Sequence, residues 1–245
     1  MHGRRALNFL CMLLIAGGFF IGSHDAVKAE YCILDRCADK QDAPLKRNDA
    51  RVGRIAPGDF DFFVLALSWS PGFCLTQGSG RQQAQCDGGG EQRFVVHGLW
   101  PQNERGFPAD CDRSSRLPAA VARDAAQNLY PDEGLARYEW GKHGTCTGWS
   151  PTEYIGAARQ ARDQVTIPSL FNGPGGERVS GRDIVKAFVD ANRGLRADMV
   201  AVACPRNVLT EVRLCLTKDL RGFRSCPDVV RSSCRGSDIL LPASR

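Results

Sequence analysis

The amino-acid sequence predicts an α+β fold in which helices pack against a central, largely antiparallel sheet that is stapled by disulfides. Three observations support this prediction. Apolar runs typical of strands stand early in the chain, helical patterns fill its middle, and alternating or β-branched segments follow them. Hydrophobic residues make up 43% of the chain and charged residues 24%, which is an ordinary balance for a globular protein. The chain also has 11 cysteines, enough for several disulfides.

The first two strands are predicted from continuous apolar segments. Residues 61–69 (DFFVLALSW) suit a strand that is covered on both faces and closed by Pro71 and Gly72. Residues 94–100 (FVVHGLW) form a second strand, which we expect to stop at Pro101. The Gly- and Gln-rich segment between them, 77–92, is predicted to be a loop, and not a phosphate-binding one.

Helices are predicted in the middle of the chain at residues 118–128, 135–143, 152–164 and 181–192. Two of these helices follow a sequence typical of a capping box. The first box runs from Ser150 to Glu153, and the second runs from Ser180 to Asp183. These boxes place two helix starts firmly.

The last strands are predicted from alternation and β-branching at residues 198–204 and 209–217. Residues 221–225 are expected to pair back onto them. Strands at both ends of the chain, with helices between them, favour an α+β fold with a largely antiparallel sheet.

The N-terminus has the pattern of an export signal. Arg4 and Arg5 precede an apolar stretch over residues 6–21, and small residues stand at 27 and 29, as at a signal peptidase site. A single membrane anchor is the alternative, but this stretch is short and interrupted by glycine, whereas a membrane span needs about 20 apolar residues. We therefore expect a periplasmic or extracellular protein that has no membrane attachment after cleavage.

The predicted organisation has three parts. Residues 1–29 are the export signal, residues 30–59 are an N-terminal extension rich in charge, and residues 60–245 form one large domain. The formal net charge of +5 is too small for a polycationic nucleic-acid-binding chain.

The cysteines predict disulfides. Cys11 lies in the signal, and the ten others are an even number in an exported chain. A zinc cluster is the alternative, but no Cys-x-x-Cys pair occurs in the sequence. Proximity along the chain, and nesting of the last four, suggest the pairs Cys32–Cys37, Cys74–Cys86, Cys204–Cys234 and Cys215–Cys226.

Two histidines are candidate acid–base catalysts. Four occur in the chain, and two of them, His2 and His24, lie in the predicted signal. The other two, His97 and His143, can titrate near neutral pH, as acid–base catalysis requires. Each could instead be a structural residue, so their surroundings decide.

His143 lies in the segment YEWGKHGTC at residues 138–146. On a helix, Glu139, Lys142 and His143 would share one face, because residues three or four apart are neighbours. A solvated ion pair on a surface helix is the simple alternative. Gly144 and Cys146 favour a functional cluster, because one can end the helix and the other can anchor that end covalently.

His97 stands at the end of an apolar strand, three residues before Trp100. A histidine beside a tryptophan suits a site in which a nucleic-acid base stacks near a catalytic group. A buried tryptophan with a hydrogen-bonded histidine is an equally good interpretation of this segment alone.

The two histidine segments, FVVHGLWP at 94–101 and EWGKHGTC at 139–146, resemble the two signature boxes of the ribonuclease T2 family. Residues 67–74 (LSWSPGFC) are also similar, so the likeness runs from about Phe60 to the C-terminus. The resemblance implies that residues 60–245 are a catalytic domain of a secreted endoribonuclease. Such an enzyme would cleave single-stranded RNA to 2′,3′-cyclic phosphate ends as a monomer, with no metal, other cofactor or stable protein partner.

The resemblance also implies a role for each site residue. His143 is the general base that takes the proton of the ribose 2′-hydroxyl, and His97 is the general acid that protonates the departing 5′-oxygen. Lys142 counters the negative charge that grows on the phosphate oxygens. Glu139 orients a neighbour or shares a proton with a phosphoryl oxygen, and Trp100 stacks on a base.

Three candidate substrate-binding positions depart from the family pattern. Tyr138 stands where a phosphate-holding histidine is common, Gln102 where some relatives carry an acid that contacts adenine, and Phe107 where relatives often have a base-stacking tyrosine. The resemblance further implies a disulfide between Cys111 and Cys146.

Two other functions remain as alternatives. His97, Glu139 and His143 could form a hydrolytic zinc site, but their spacing is not His-Glu-x-x-His and the neighbouring Lys142 would repel a cation. A disulfide-rich secreted module that binds RNA or protein without catalysis is the other alternative. The intact set of candidate catalytic residues speaks against it, because binding alone does not need them.

Overall fold

The structure is a computed structural model that describes residues 56–77, 84–87 and 93–243. All of them belong to one compact unit. The predicted export signal and the predicted Cys32–Cys37 disulfide lie outside the described residues.

The described residues form helices and strands in the order β1 (Phe62–Trp69), α1 (Ser70–Thr76), α2 (Ala84–Asp87), β2 (Phe94–Gln102), α3 (Ala119–Asn128), α4 (Glu133–Lys142), α5 (Pro151–Asp163), β3 (Arg178–Val179), α6 (Gly181–Ala191), β4 (Val200–Ala203), β5 (Glu211–Thr217), α7 (Pro227–Arg231) and β6 (Ile239–Leu240). None of the helices in this part of the chain combines the length and the apolar character that crossing a membrane requires.

The main sheet has four antiparallel strands in the order β2-β1-β5-β4, and β3 pairs with β6 in a separate two-stranded sheet. Strand β1 is central, and all eight of its residues are buried, as its continuous apolar sequence predicts. This arrangement confirms the predicted α+β fold with an antiparallel sheet.

The four long helices are confirmed at the predicted places. Ser150 and Glu153 form the predicted capping box at the start of α5, and Ser180 and Asp183 form the one at the start of α6. The predicted return of residues 221–225 is an isolated antiparallel bridge between Leu216 and Phe223.

One predicted boundary is wrong for a physical reason. Strand β2 continues through Pro101 to Gln102, because it is an edge strand and one of its hydrogen-bonding sides faces no neighbouring strand. Strand β1 ends at Trp69, before Pro71, as predicted, and Pro71 also stands in the first turn of α1, where a missing N–H costs nothing. A further short helix, α2, lies within the segment predicted to be a loop.

The two faces of the main sheet differ. One face packs against the helices and carries the large core, in which Leu65, Leu99 and Leu214 are fully buried beside Tyr154 and Phe188. The opposite face carries a smaller apolar cluster, formed by Phe62, Val64, Ala66, Trp100, Cys215 and Cys226. Because side chains alternate along a strand, Glu211 and Arg213 share this second face with Cys215. The second face therefore positions the polar site described below.

Four disulfides join parts of the described chain. They link Cys74 to Cys86, Cys111 to Cys146, Cys204 to Cys234 and Cys215 to Cys226. All four pairings agree with those predicted from proximity, nesting and the family resemblance.

Candidate active site

The candidate catalytic side chains meet where α4 lies against the edge strand β2. His97 belongs to β2, Glu139 and Lys142 to the last turn of α4, and His143 follows directly. The Nε2 atom of His97 is 4.0 Å from Oε1 of Glu139. The structure therefore brings together the two sequence segments that carry the predicted acid, base and carboxylate.

A β-bulge aims His97 out of the sheet. Ala66 of β1 pairs with Gly98, but the next residue, Leu67, pairs with Val96, so His97 is the extra residue on β2. A bulge leaves one residue out of the ladder and turns its side chain. His97 thus projects toward α4, with 38% of its side chain exposed.

Helix α4 is fixed at its start by one contact and at its end by two. The Asp132 side chain caps the start of the helix by accepting a hydrogen bond from the backbone N–H of Leu135. At the other end, the disulfide from Cys111 holds Cys146, and the backbone N–H of Asp110 donates to the carbonyl of Lys142 at 2.8 Å. His143 is therefore held by chain segments on both sides of it.

Trp100 joins the two halves of the site. Its indole N–H donates to Oε2 of Glu139 at 2.8 Å. Its ring stacks on the His143 ring, with centroids 5.4 Å apart, and meets the His97 ring edge-on at 5.3 Å. Only 8% of Trp100 is exposed, so its observed contacts are with these protein groups, and base stacking by this ring stays a prediction.

Gly98 permits this close packing. A Cβ atom at this position would overlap the carboxylate of Glu139 and the indole nitrogen of Trp100. A larger residue would therefore separate β2 from α4 at the point where the site forms.

A second carboxylate, absent from the sequence prediction, contacts His97 from β5. The Nδ1 atom of His97 is 2.5 Å from Oε2 of Glu211, and Nε of Arg213 donates to Oε1 of Glu211 at 2.7 Å. The guanidinium of Arg213 also lies 5.2 Å from the centre of the Trp100 ring. One feature of the sequence could have indicated this contact. Glu211 and Arg213 carry opposite charges two residues apart on a strand that is otherwise mostly apolar.

The surroundings of His97 favour its protonated form. Burial by itself would lower the pKa of His97, but the Glu211 carboxylate and, to a smaller extent, Glu139 raise that pKa above its usual value. Burial would likewise raise the pKa of Glu211, but Arg213 and His97 together hold it at about 2. At pH 6.5, the usual pKa of histidine, the protonated form of His97 therefore predominates beside an ionised Glu211.

The surroundings of His143 favour its neutral form. Burial lowers the pKa of His143 well below its usual value, and the positive charges of Lys142 and His97 lower it further. Nδ1 of His143 is buried without a hydrogen-bond partner among the described residues.

Glu139 holds its proton unusually strongly. The residue is only 1% exposed, and burial raises the pKa of its carboxyl to about 7, against the opposing effects of His97, Trp100 and Lys142. Near neutral pH, Glu139 can therefore either accept or donate a hydrogen bond.

The three remaining predicted residues surround this cluster at different distances. The buried Phe107 ring lies 6.0 Å from the His143 ring, between centroids. Tyr138 is half-buried on α4, and the ammonium group of Lys142 is 5.3 Å from the centre of its ring. Gln102 lies on the same face of β2 as Trp100, two residues farther from His97.

The zinc alternative has no preformed ligand set in the described part of the chain. No three His, Cys, Asp or Glu side chains there are arranged to hold a metal ion. His97 instead uses Nδ1 to contact Glu211, and the Lys142 ammonium group lies beside the cluster.

Comparisons with known proteins agree with this fold. A ribonuclease from Aeromonas hydrophila is 33% identical over 207 residues, which cover 77% of this chain and 88% of the relative. Ribonuclease I of Escherichia coli strain K12 is 28% identical over 206 residues, covering 66% of this chain and 77% of the relative. The crystal structure of RNase NT in complex with 5′-AMP is similar with a TM-score of 0.57 and 25% identity, over 76% of this chain and 99% of that one.

The match to the family itself covers residues 60–226, which include both histidine segments and three of the four described disulfides in full. The chain therefore belongs to the Ribonuclease T2 family.

Proposed function

We propose that this protein is an exported endoribonuclease that cleaves single-stranded RNA by transphosphorylation and needs no metal ion. One observation carries the proposal. Two imidazoles of opposite proton preference, His97 and His143, meet at the ring of Trp100 beside a buried carboxyl. Concerted acid–base catalysis requires one neutral and one protonated group at the same time.

The proposed reaction moves two protons and exchanges one bond at phosphorus. His143 is neutral and takes the proton of the ribose 2′-hydroxyl, whose oxygen attacks the adjacent phosphorus. The bond between phosphorus and the 5′-oxygen breaks, and His97 gives its proton to that oxygen. The products are a 2′,3′-cyclic phosphate end and a free 5′-hydroxyl.

The contacts of each ring identify the nitrogen that would face the substrate. Nδ1 of His97 is occupied by Glu211, which leaves Nε2 for the leaving oxygen. Nδ1 of His143 is buried, which leaves Nε2 for the 2′-hydroxyl.

Glu139 and Lys142 would stabilise the phosphorane-like transition state. Lys142 supplies a positive charge for the oxygens on which negative charge grows. Glu139 has a pKa of about 7, so its carboxyl is partly protonated near neutral pH and can donate a hydrogen bond to a phosphoryl oxygen. Trp100, Gln102, Phe107 and Tyr138 are the proposed substrate-binding residues.

Export is supported by the N-terminal sequence pattern and by the four described disulfides, which form in oxidising compartments. We accordingly keep residues 1–29 as the export signal, residues 30–59 as an extension and residues 60–245 as the catalytic domain. Recovery of mature protein beginning at residue 30 from a periplasmic or culture fraction would test this assignment.

The direct test of function uses the purified protein with short single-stranded RNA and DNA of the same sequence. We expect RNA to yield 2′,3′-cyclic phosphate ends, with no loss of rate in a chelator, and DNA to stay intact because it lacks the 2′-hydroxyl. The His97→Ala variant, prepared in parallel, controls for contaminating nucleases.

Three results would contradict the proposal. RNA binding without turnover would favour the binding module, and loss of activity in a chelator would favour the zinc alternative. Cleavage of DNA at a comparable rate would exclude the 2′-hydroxyl as the nucleophile.

A further inference from the structure

The proposed mechanism gives a role to both imidazoles and to Glu139 and Lys142. It gives no role to Glu211. This carboxylate is only 7% exposed, and it lies on the sheet face that carries the apolar cluster around Trp100. A buried carboxylate is costly unless its charge and its oxygens have partners. Glu211 has two such partners, and one of them is the proposed general acid.

We propose that Glu211 is a positioning residue for RNA cleavage. Its carboxylate, held by Arg213, fixes the His97 imidazole so that Nε2–H faces the leaving 5′-oxygen. This inference rests on the proposed function, because it concerns how the general acid of that reaction is prepared.

The strand register makes the contact possible. Glu211 of β5 pairs with Ser68 of β1, and Ala66 of β1 pairs with Gly98 of β2. Strand β1 therefore separates Glu211 from His97 within the ladder. The bulge on β2 turns the His97 side chain so that Nδ1 reaches the Glu211 carboxylate across β1, at 2.5 Å.

The hydrogen bond selects the useful tautomer. Nδ1–H of His97 donates to the carboxylate, so the proton that can leave is the one on Nε2. After that proton moves to the 5′-oxygen, the neutral ring retains Nδ1–H, and the carboxylate still accepts from it. The same contact therefore serves the ring before and after proton transfer.

Arg213 keeps Glu211 ionised. Its Nε donates to the Glu211 oxygen that does not face His97, at 2.7 Å, and its guanidinium packs over Trp100 at 5.2 Å. The pKa of Glu211 is about 2, so the carboxylate does not take the His97 proton near neutral pH. Arg213 thus fixes both the charge and the place of the carboxylate.

Among the described residues, no other charged neighbour of His97 can replace Glu211. From β5, the ring faces Glu211 and Arg213; from α4, it faces Glu139, and His143 follows that helix. Glu139 lies 4.0 Å away on the Nε2 side, which the substrate must approach. The carboxylate on the Nδ1 side is therefore the one that can orient the ring without occupying its reactive nitrogen.

The test replaces Glu211 by glutamine, which keeps the shape and can still accept a hydrogen bond but carries no charge. Glu211→Ala removes the contact altogether. Glu133→Gln is the matched control, because Glu133 forms an exposed ion pair with Arg137 on α4, and none of its contacts within the described structure is with either histidine. Each variant is assayed as the full protein with two substrates.

One substrate is a dinucleotide, whose 5′-oxygen needs a proton to depart. The other is uridine 3′-(4-nitrophenyl phosphate), whose leaving group departs without one. For Glu211→Gln we expect kcat on the dinucleotide to fall at least about tenfold, with KM little changed, and kcat on the nitrophenyl ester to change less than about threefold. The alkaline limb of the dinucleotide pH profile should move to lower pH, whereas Glu133→Gln should match the wild type throughout.

Equal losses on the two substrates would overturn the inference, because a merely structural role affects both. Unchanged rates on both would overturn it equally. If Glu211→Ala fails to fold, Glu211→Gln alone decides, with its fold checked by circular dichroism.

A nitrogen-detected NMR titration of His97 separates this inference from the proposed function, since it needs no activity. The pKa of His97 should fall in Glu211→Gln and stay at the wild-type value in Glu133→Gln; an unchanged value would overturn the inference. A wild-type protein that does not produce cyclic phosphate ends would contradict the proposed function, and the titration would still decide whether Glu211 controls His97.

Discussion

His97 and His143 are the same kind of side chain within one site, but different parts of the chain surround them. His97 projects from a bulge on a strand and contacts a carboxylate that is far away in the sequence. His143 follows a helix, is buried against the rings of Trp100 and Phe107, and has no carboxylate partner in the described structure. The sheet therefore stabilises an imidazolium, and the helix end stabilises a neutral imidazole.

This difference would allow one residue type to supply both the proposed acid and the proposed base. Desolvation disfavours the charged form of either ring, and only the ring with an anionic partner overcomes it. Trp100 contacts both rings, so the two environments meet at a single side chain.

The largest effect on activity is expected when either imidazole is removed. His97→Ala and His143→Ala should each lose about 100-fold or more in kcat for RNA, because each removes one proton transfer. The double variant should lose much less than the product of the two single losses, since the pair acts as a unit. If the loss in the double variant instead equals the product of the two single losses, the two rings act independently.

The two single variants should also differ from each other. With a nitrophenyl leaving group, His97→Ala should recover most of the lost rate, whereas His143→Ala should not, because the 2′-hydroxyl still has to lose its proton. If His143→Ala recovered its rate and His97→Ala did not, His143 would be the general acid and His97 the general base.

Removing the disulfide beside His143 should lower both the stability and the activity of the protein. Replacing both Cys111 and Cys146 by serine removes the bridge beside His143, and we expect the free energy of unfolding to fall by about 2–5 kcal/mol. Replacing Cys204 and Cys234, which join β4 to the segment after α7, is the matched control. Denaturant unfolding should show a comparable loss for both pairs, but kcat should fall mainly when the Cys111 bridge is absent.

The buried carboxyl of Glu139 should make stability depend on pH. The folded protein holds the Glu139 proton up to about pH 7, whereas the unfolded chain releases it near pH 4.5. The contribution of Glu139 to the free energy of unfolding is therefore fully present below pH 4.5, and it is lost as the pH rises through 7. The difference in pKa corresponds to roughly 3 kcal/mol.

Glu139→Gln removes this titration and keeps an acceptor for the Trp100 indole. Its stability relative to the wild type should therefore increase between pH 4 and 8 by roughly 3 kcal/mol, while its activity falls. Thermal or denaturant unfolding across that range measures the change, and Glu133→Gln, on the exposed side of α4, should show none. A constant difference between variant and wild type would show that the Glu139 pKa is not raised.

The smallest predicted effect concerns the phosphate. Tyr138→His places a partly cationic imidazole where a phenol now stands, so KM for RNA should fall a few-fold, most clearly at acid pH. If KM stays the same between pH 5 and 7, residue 138 does not touch the phosphate.

Much of the fold and one half of the site follow from local sequence. The continuous apolar run of β1, the capping boxes at Ser150 and Ser180, and the helix carrying Glu139 each depend on neighbours along the chain. The disulfide pairs follow from proximity, nesting and the family resemblance.

The other half of the site depends on pairing between distant segments. Glu211 is 114 residues from His97 along the chain, and it reaches the ring only because β5 lies beside β1 and β2 carries a bulge. The sequence shows neither the strand order nor the place of the bulge. The extension of β2 through Pro101 was missed for the same reason, because only the strand order shows that β2 is an edge.

The most direct test of this account is a nitrogen-detected NMR titration of the histidines in the wild-type protein. His97→Gln and His143→Gln variants assign the two signals, and the protein has only four histidines in all. We expect His97 to titrate above the usual pKa of about 6.5 and His143 below it, so that one ring is charged and the other neutral near pH 6.5. Coinciding pKa values, or a higher pKa for His143 than for His97, would exclude the proposed division of the two rings into acid and base.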